Sequence, residues 1–123
     1  MFNNQKPTVQ MLGRWQPWHK GHTELFKKAL QKTGQVVIMV RELDGEDNPF
    51  NHANVYENII EALSKEGFIY KKEFTIISVP NIVDISYGRG VGYTFTEHDL
   101  GKNIHDISAT KIRKKLREEG KLR

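Results

Sequence analysis

Apolar and polar positions change period along this chain, and each change marks an element. Thr8 to Leu12 is a short strand-like run bounded by Pro7 and leading into Gly13. Beyond Gly21 the period becomes helical. Leu25, Phe26, Ala29 and Leu30 make one stripe among charged residues, and Gly34 supplies a stop. Val36 to Val40 is unbroken apolar, the pattern of a parallel strand covered on both faces. A polar loop from Arg41 to His52 follows, with the turn pairs Asp44-Gly45 and Asn48-Pro49, and loops of this length often carry function. Val55, Ile59, Ile60 and Leu63 mark a second amphipathic helix that ends near Gly67, and Phe74 to Val79 gives a third strand closed by Pro80. Three strands joined by two helices predict an α/β fold with a Rossmann-like, open, mostly parallel sheet, right-handed crossovers and helices on both faces.

Two later stretches, Ile82 to Tyr87 and Gly92 to Thr96, also pattern as extended, which raises the expected sheet to four to five strands. Only Gly88-Arg89-Gly90-Val91 separates them, too little for a helical crossover between parallel neighbours, so they form a hairpin or one of them is irregular. A polar loop from Glu97 to Asp106 leads to a last helix from Ser108 to about Glu119, with Gly120 as its stop.

At 123 residues the chain has room for one core, and a single domain over 1–123 is expected. No apolar stretch approaches the roughly 20 residues that span a bilayer. The first residues lack the apolar block of a signal peptide, so a cytoplasmic protein without a membrane partner is expected. The absence of cysteine excludes disulfides, thiolate catalysis and cysteine-held metals. The net charge of +4 is concentrated at the end, where Lys111, Arg113, Lys114, Lys115, Arg117, Lys121 and Arg123 face only Glu118 and Glu119. That asymmetry suits an anionic partner, although a basic helix end is also an ordinary solvated face.

In an open α/β sheet, ligands collect where strands end and helices begin. His19 and His22 fall at such a junction, spaced so that both imidazoles can face one anion, with Gly21 between them leaving room for its approach. Ordinary surface histidines are the plain alternative. A zinc pair is another, but the metalloprotease spacing is four with an adjacent glutamate, which is missing here. A second junction has Ser108 as N-cap with Thr110, Lys111 and Arg113 on the first turn, where hydroxyls, amides and cations suit a polyphosphate; capping followed by a solvated basic face is the alternative there.

Taken together, Gly13-Arg14-Trp15-Gln16-Pro17-Trp18-His19-Lys20-Gly21-His22 and Ile107-Ser108-Ala109-Thr110-Lys111-Ile112-Arg113 resemble the two signatures of the nucleotidylyltransferase superfamily, in the same order. The resemblance implies attack by an acceptor phosphate on the α-phosphorus of a nucleoside triphosphate, with pyrophosphate leaving. It implies catalytic roles for His19, His22 and Arg113, and nucleotide or phosphate binding by Gly13, Arg14, Trp15, Gly21, Ser108, Thr110 and Lys111. Gln16, Trp18, Arg41 and Arg89 are the candidate substrate-binding residues. Mg²⁺ is expected to ride on the triphosphate rather than in a protein cage.

Trp15 and Trp18 are either base-stacking residues or core. Similar cytidylyltransferases carry a lysine in the loop after the second strand; Glu42 to His52 contains none, and Arg41 is the candidate substitute. Pro80 to Tyr93 is most similar to small cytidylyltransferase-like domains, some of them fused to adenylylsulfate kinases, whereas Gly13 to Pro17 and Asn48-Pro49-Phe50 resemble nicotinamide mononucleotide adenylyltransferases. The expected reaction is CMP transfer from CTP to a small phosphorylated acceptor, with ATP-dependent adenylyl transfer as the alternative. A non-catalytic nucleotide- or RNA-binding module is the alternative of another class. Aromatic and basic residues do not alternate on a strand as in single-strand binders, so nucleic acid is not the expected partner, and a second copy of the chain is a candidate one.

Overall fold

The computed structural model describes residues 1–43, 45, 48–90, 92–101 and 109–120. Chain order is β1 (Val9–Gly13), α1 (Lys20–Thr33), β2 (Val36–Arg41), α2 (His52–Lys65), β3 (Phe74–Val79) and α3 (Ala109–Glu118). The strands pair in parallel in the order β1-β2-β3, with Met11 beside Ile38 and Ile38 beside Ile76.

Because side chains alternate along a strand, this register puts Met11, Val36, Ile38, Val40, Phe74 and Ile76 on one face. They share a core with Phe26 and Ala29 of α1 and with Val55, Ile59 and Leu63 of α2. The Phe26 ring meets Phe74 edge-on, with centroids 5.7 Å apart. Each such fully buried side chain contributes about 1.5–3 kcal/mol.

Both crossover helices therefore lie on the same face. When strands follow chain order across a sheet, crossovers of one hand all turn to the same side. The opposite face carries Leu12, Val37, Met39 and Thr75, all half-buried, and Ile77, which is 42% exposed. The run Val36 to Val40 is thus sealed on one side only.

Among the described residues the sheet has three strands, and no fourth or fifth forms. Residues 82–87 and 92–96 carry no strand pairing among those described, and Val83, Ile85, Tyr87, Tyr93 and Phe95 are exposed. Alternation is a tendency to pair, realised only where a neighbouring strand takes up the backbone hydrogen bonds.

The helix ends follow their capping residues. Gly34 takes a left-handed conformation (φ 87°) and donates its N–H to the Leu30 carbonyl at 2.8 Å, ending α1. Asn51 caps α2 by accepting from the Asn54 N–H at 2.9 Å.

Candidate active site

Gly13 ends β1 directly under an indole ring. A Cβ at this position would meet Trp15 ring atoms at 2.9 Å, so only glycine lets the ring lie down. Trp15 itself has φ 55°, a conformation uncommon for a bulky residue, and is held there by its Nε1–H donating to the Met39 carbonyl at 3.1 Å. Trp18 packs beside it at a ring separation of 4.9 Å and donates from Nε1 to Thr23 Oγ1 at 2.8 Å. Both indoles are only 6% exposed. Both rings belong to the core, the plainer of the two readings offered for them, and they pack against the His22 ring.

His19 and His22 cap the start of α1 reciprocally. His19 Nδ1 accepts from the Gly21 N–H at 3.0 Å, and His22 Nδ1 accepts from the His19 N–H at 3.1 Å. The two rings stack with centroids 3.6 Å apart. Since backbone N–H groups can only donate, each Nδ1 must be the unprotonated nitrogen, and each imidazole carries its proton on Nε2. The charge state agrees. Burial, and secondarily the neighbouring His19, push His22 down to about 3, and burial also lowers His19. Two neutral N–H donors are thereby oriented without a buried charge. Gly21 is itself buried and its amide is engaged in the cap, so it contributes space rather than a free donor.

Gln16 is 7% exposed, and its amide pairs with the Phe50 backbone: Nε2 donates to the carbonyl and Oε1 accepts from the N–H, each at 2.9 Å. These two bonds tie the turn to the loop after β2 and leave the second Nε2–H and a second Oε1 lone pair. Arg14 reaches the same loop, donating from Nη1 to Asn48 Oδ1 at 3.4 Å.

The C-terminal signature is brought to this turn. Arg113 is 3% exposed and its Nη1 donates to the Gln16 carbonyl, bridging two segments far apart in the chain. Lys111 is exposed. Ser108 and the side chain of Thr110 lie outside the described residues. Arg41 does not reach the turn: Nη2 donates to Asn81 Oδ1 at 2.7 Å, and alternation along β2 turns Arg41 to the face opposite α1 and α2. Arg41, the candidate substitute for the missing lysine, is thus engaged at Asn81 rather than at the histidine turn. Arg89 lies exposed in the irregular segment after β3.

Four residues that composition and spacing did not single out meet at the ends of β2 and β3. Ser78 Oγ lies 3.0 Å from both Tyr56 OH and His52 Nδ1, and His52 Nε2 lies 3.3 Å from Glu42 Oε1. His52 and Tyr56 were legible as an i, i+4 pair on one helix face, but Ser78 and Glu42 join them only through strand register. Among the described residues no group of three or more histidines and carboxylates is placed to hold a metal ion. No described helix is long and apolar enough to cross a membrane.

Comparison with known proteins agrees with this geometry. The cytidylyltransferase-like family model matches residues 11–100. Nicotinamide-nucleotide adenylyltransferase of Pyrococcus furiosus is 31% identical over 74 residues, covering 58% of this chain and 39% of that protein. The enzyme of the same name from Ignicoccus hospitalis is 36% identical over 74 residues, covering 58% of this chain and 43% of that protein. That of Methanococcus aeolicus is 32% identical over 63 residues, covering 49% and 37%. The chain spans about two-fifths of the length of these curated relatives. With a family match over most of its length, running from β1 through the histidine turn and the sheet, the chain belongs to the cytidylyltransferase-like family of the nucleotidylyltransferase superfamily.

Proposed function

We propose that the chain transfers an adenylyl group from ATP to a nicotinamide nucleotide. An acceptor phosphate oxygen forms a bond to the α-phosphorus, the bond from that phosphorus to the bridging oxygen of the β-phosphate breaks, and pyrophosphate carries away the electron pair. The observation that carries this reading is the pair of neutral imidazoles at the start of α1, with both Nε2–H donors set by reciprocal caps. In-line transfer of this kind needs no protein nucleophile. It needs positioned donors where charge shifts between oxygens.

His19 and His22 donate to phosphate oxygens around the reacting phosphorus. His22, held far below its ordinary value, donates a hydrogen bond and does not release a proton at neutral pH. Arg113 holds the turn through the Gln16 carbonyl, which brings the last helix to the histidine turn. Mg²⁺ would bind the triphosphate oxygens and neutralise part of their charge; no described residue is assigned to hold it.

The choice of base and acceptor rests on the relatives, which carry the name nicotinamide-nucleotide adenylyltransferase. They favour adenylyl transfer over the CMP transfer expected from the sequence. The test is pyrophosphate release with ATP or CTP, Mg²⁺ and nicotinamide mononucleotide. Release with ATP supports the reading. Release with CTP alone restores cytidylyl transfer, and nucleotide binding without release with any acceptor points to a non-catalytic module.

A further inference from the structure

We infer that Glu42, oriented by His52, Ser78 and Tyr56, forms a subsite for the vicinal hydroxyls of a ribose, the sugar of the acceptor nucleotide. The inference rests on the adenylyl-transfer reading for the identity of that acceptor.

The direction of hydrogen bonding follows from the groups themselves. A carboxylate only accepts, so the tautomer that suits this geometry has its ring proton on His52 Nε2, which lies 3.3 Å from Glu42 Oε1. Its Nδ1 is then the acceptor and takes the Ser78 hydroxyl proton across 3.0 Å. Ser78 Oγ in turn accepts from Tyr56 OH, also at 3.0 Å. The relay runs Tyr56, Ser78, His52, Glu42, and it ends on a carboxylate whose side chain is 56% exposed. The imidazole stands beside one carboxylate oxygen, and the exposed remainder can accept from a pair of adjacent hydroxyls.

Position points the same way. The Glu42 N–H continues the sheet ladder to the Val79 carbonyl at 3.0 Å, so its backbone is fixed. Alternation from Val40 puts Glu42 on the face of α1 and α2, the face that also carries Ser78 and Gly13, in register with Val40 on either side. The histidine turn and this relay therefore open on the same edge of the sheet. The loop between them is tied to the turn by Gln16 and Phe50.

The test uses the whole chain and two probes that differ by one hydroxyl, ribose 5-phosphate and 2-deoxyribose 5-phosphate. Binding is followed by calorimetry and by the imidazole proton signals of His52. The wild type is expected to bind the ribose form at least fivefold more tightly and to shift the His52 signals. Glu42→Gln is expected to bind both sugars alike, and Ser78→Ala, which keeps the carboxylate but loosens its support, to retain only part of the preference. Equal binding of the two sugars by the wild type, no binding of either, or an unchanged preference in Glu42→Gln overturns the subsite. Pyrophosphate release measured on the same samples keeps the two conclusions apart. Release without sugar discrimination removes the subsite alone, whereas discrimination without release from any triphosphate and acceptor removes the reaction alone.

Discussion

The side-chain amide of Gln16 and the backbone of Phe50 exchange two hydrogen bonds of 2.9 Å, joining the turn after β1 to the loop after β2. One buried side chain thus sets the spacing between the histidine turn and the neighbouring loop.

Gln16→Ala leaves both Phe50 groups without this partner and is expected to cost about 1–3 kcal/mol. Thermal unfolding measures that loss, and steady-state kinetics should show a higher KM for the acceptor with a smaller change for the triphosphate. Gln16→Glu sets a buried carboxylate oxygen against the Phe50 carbonyl and should be no more stable than Gln16→Ala at neutral pH.

His22→Ala removes one oriented donor and is expected to lower turnover at least ~100-fold, the scale of losing a preorganised transition-state hydrogen bond. Circular dichroism should show the fold retained, since the cap it provides is worth about 1 kcal/mol. Near-normal pyrophosphate release in this variant would remove His22 from the mechanism.

The lowered values of His19 and His22 also predict how stability depends on pH. Unfolded, each histidine titrates near its ordinary 6.5; folded, His22 titrates near 3. Between those values the unfolded chain binds more protons, so stability rises with pH across this window and falls as pH drops below about 6.5. The melting temperature should decline from pH 6.5 toward 4, and the decline should be shallower in His22→Gln.

Gly13→Ala places a methyl group 2.9 Å from the Trp15 ring, which is fixed by its bond to Met39 and has no room to retreat. Overpacking of this kind costs about 1–3 kcal/mol. A lower melting temperature and altered tryptophan fluorescence are expected together, because the same ring reports both.

Arg113→Ala is expected to be less stable and to use the triphosphate poorly, because the guanidinium is buried against the Gln16 carbonyl beside the histidine turn. Arg113→Lys keeps the charge but not the planar fork, and should recover part of the stability and little of the triphosphate affinity. Normal triphosphate affinity in both variants would limit Arg113 to a structural role.

Much of this was visible in the one-dimensional pattern. The helical stripe from Leu25 to Leu30 with Gly34 beyond it, the apolar run at Val36, and the second stripe from Val55 to Leu63 correspond to elements that form where their periods place them. Local backbone preference and one-sided burial are enough to specify such segments. His19 and His22 were also visible, because their spacing across a helix start is a local property.

Tertiary structure decided what those residues touch. Trp15 and Trp18 had two readings until packing buried both rings. Arg41 had a site reading from its place after the second strand, but alternation sends it to the face opposite α1 and α2. Ile82 to Tyr87 had the alternation of a strand, but pairing needs a partner that sequence period alone does not supply. The reciprocal caps of His19 and His22 fix which nitrogen carries each proton, and burial keeps the rings neutral. The sequence by itself determined the elements, the family signatures and the place of the histidine turn, because these depend on neighbours a few residues apart. Strand register, burial and contacts such as Arg113 to Gln16 decided which side chains face the site, because they depend on residues that only folding brings together.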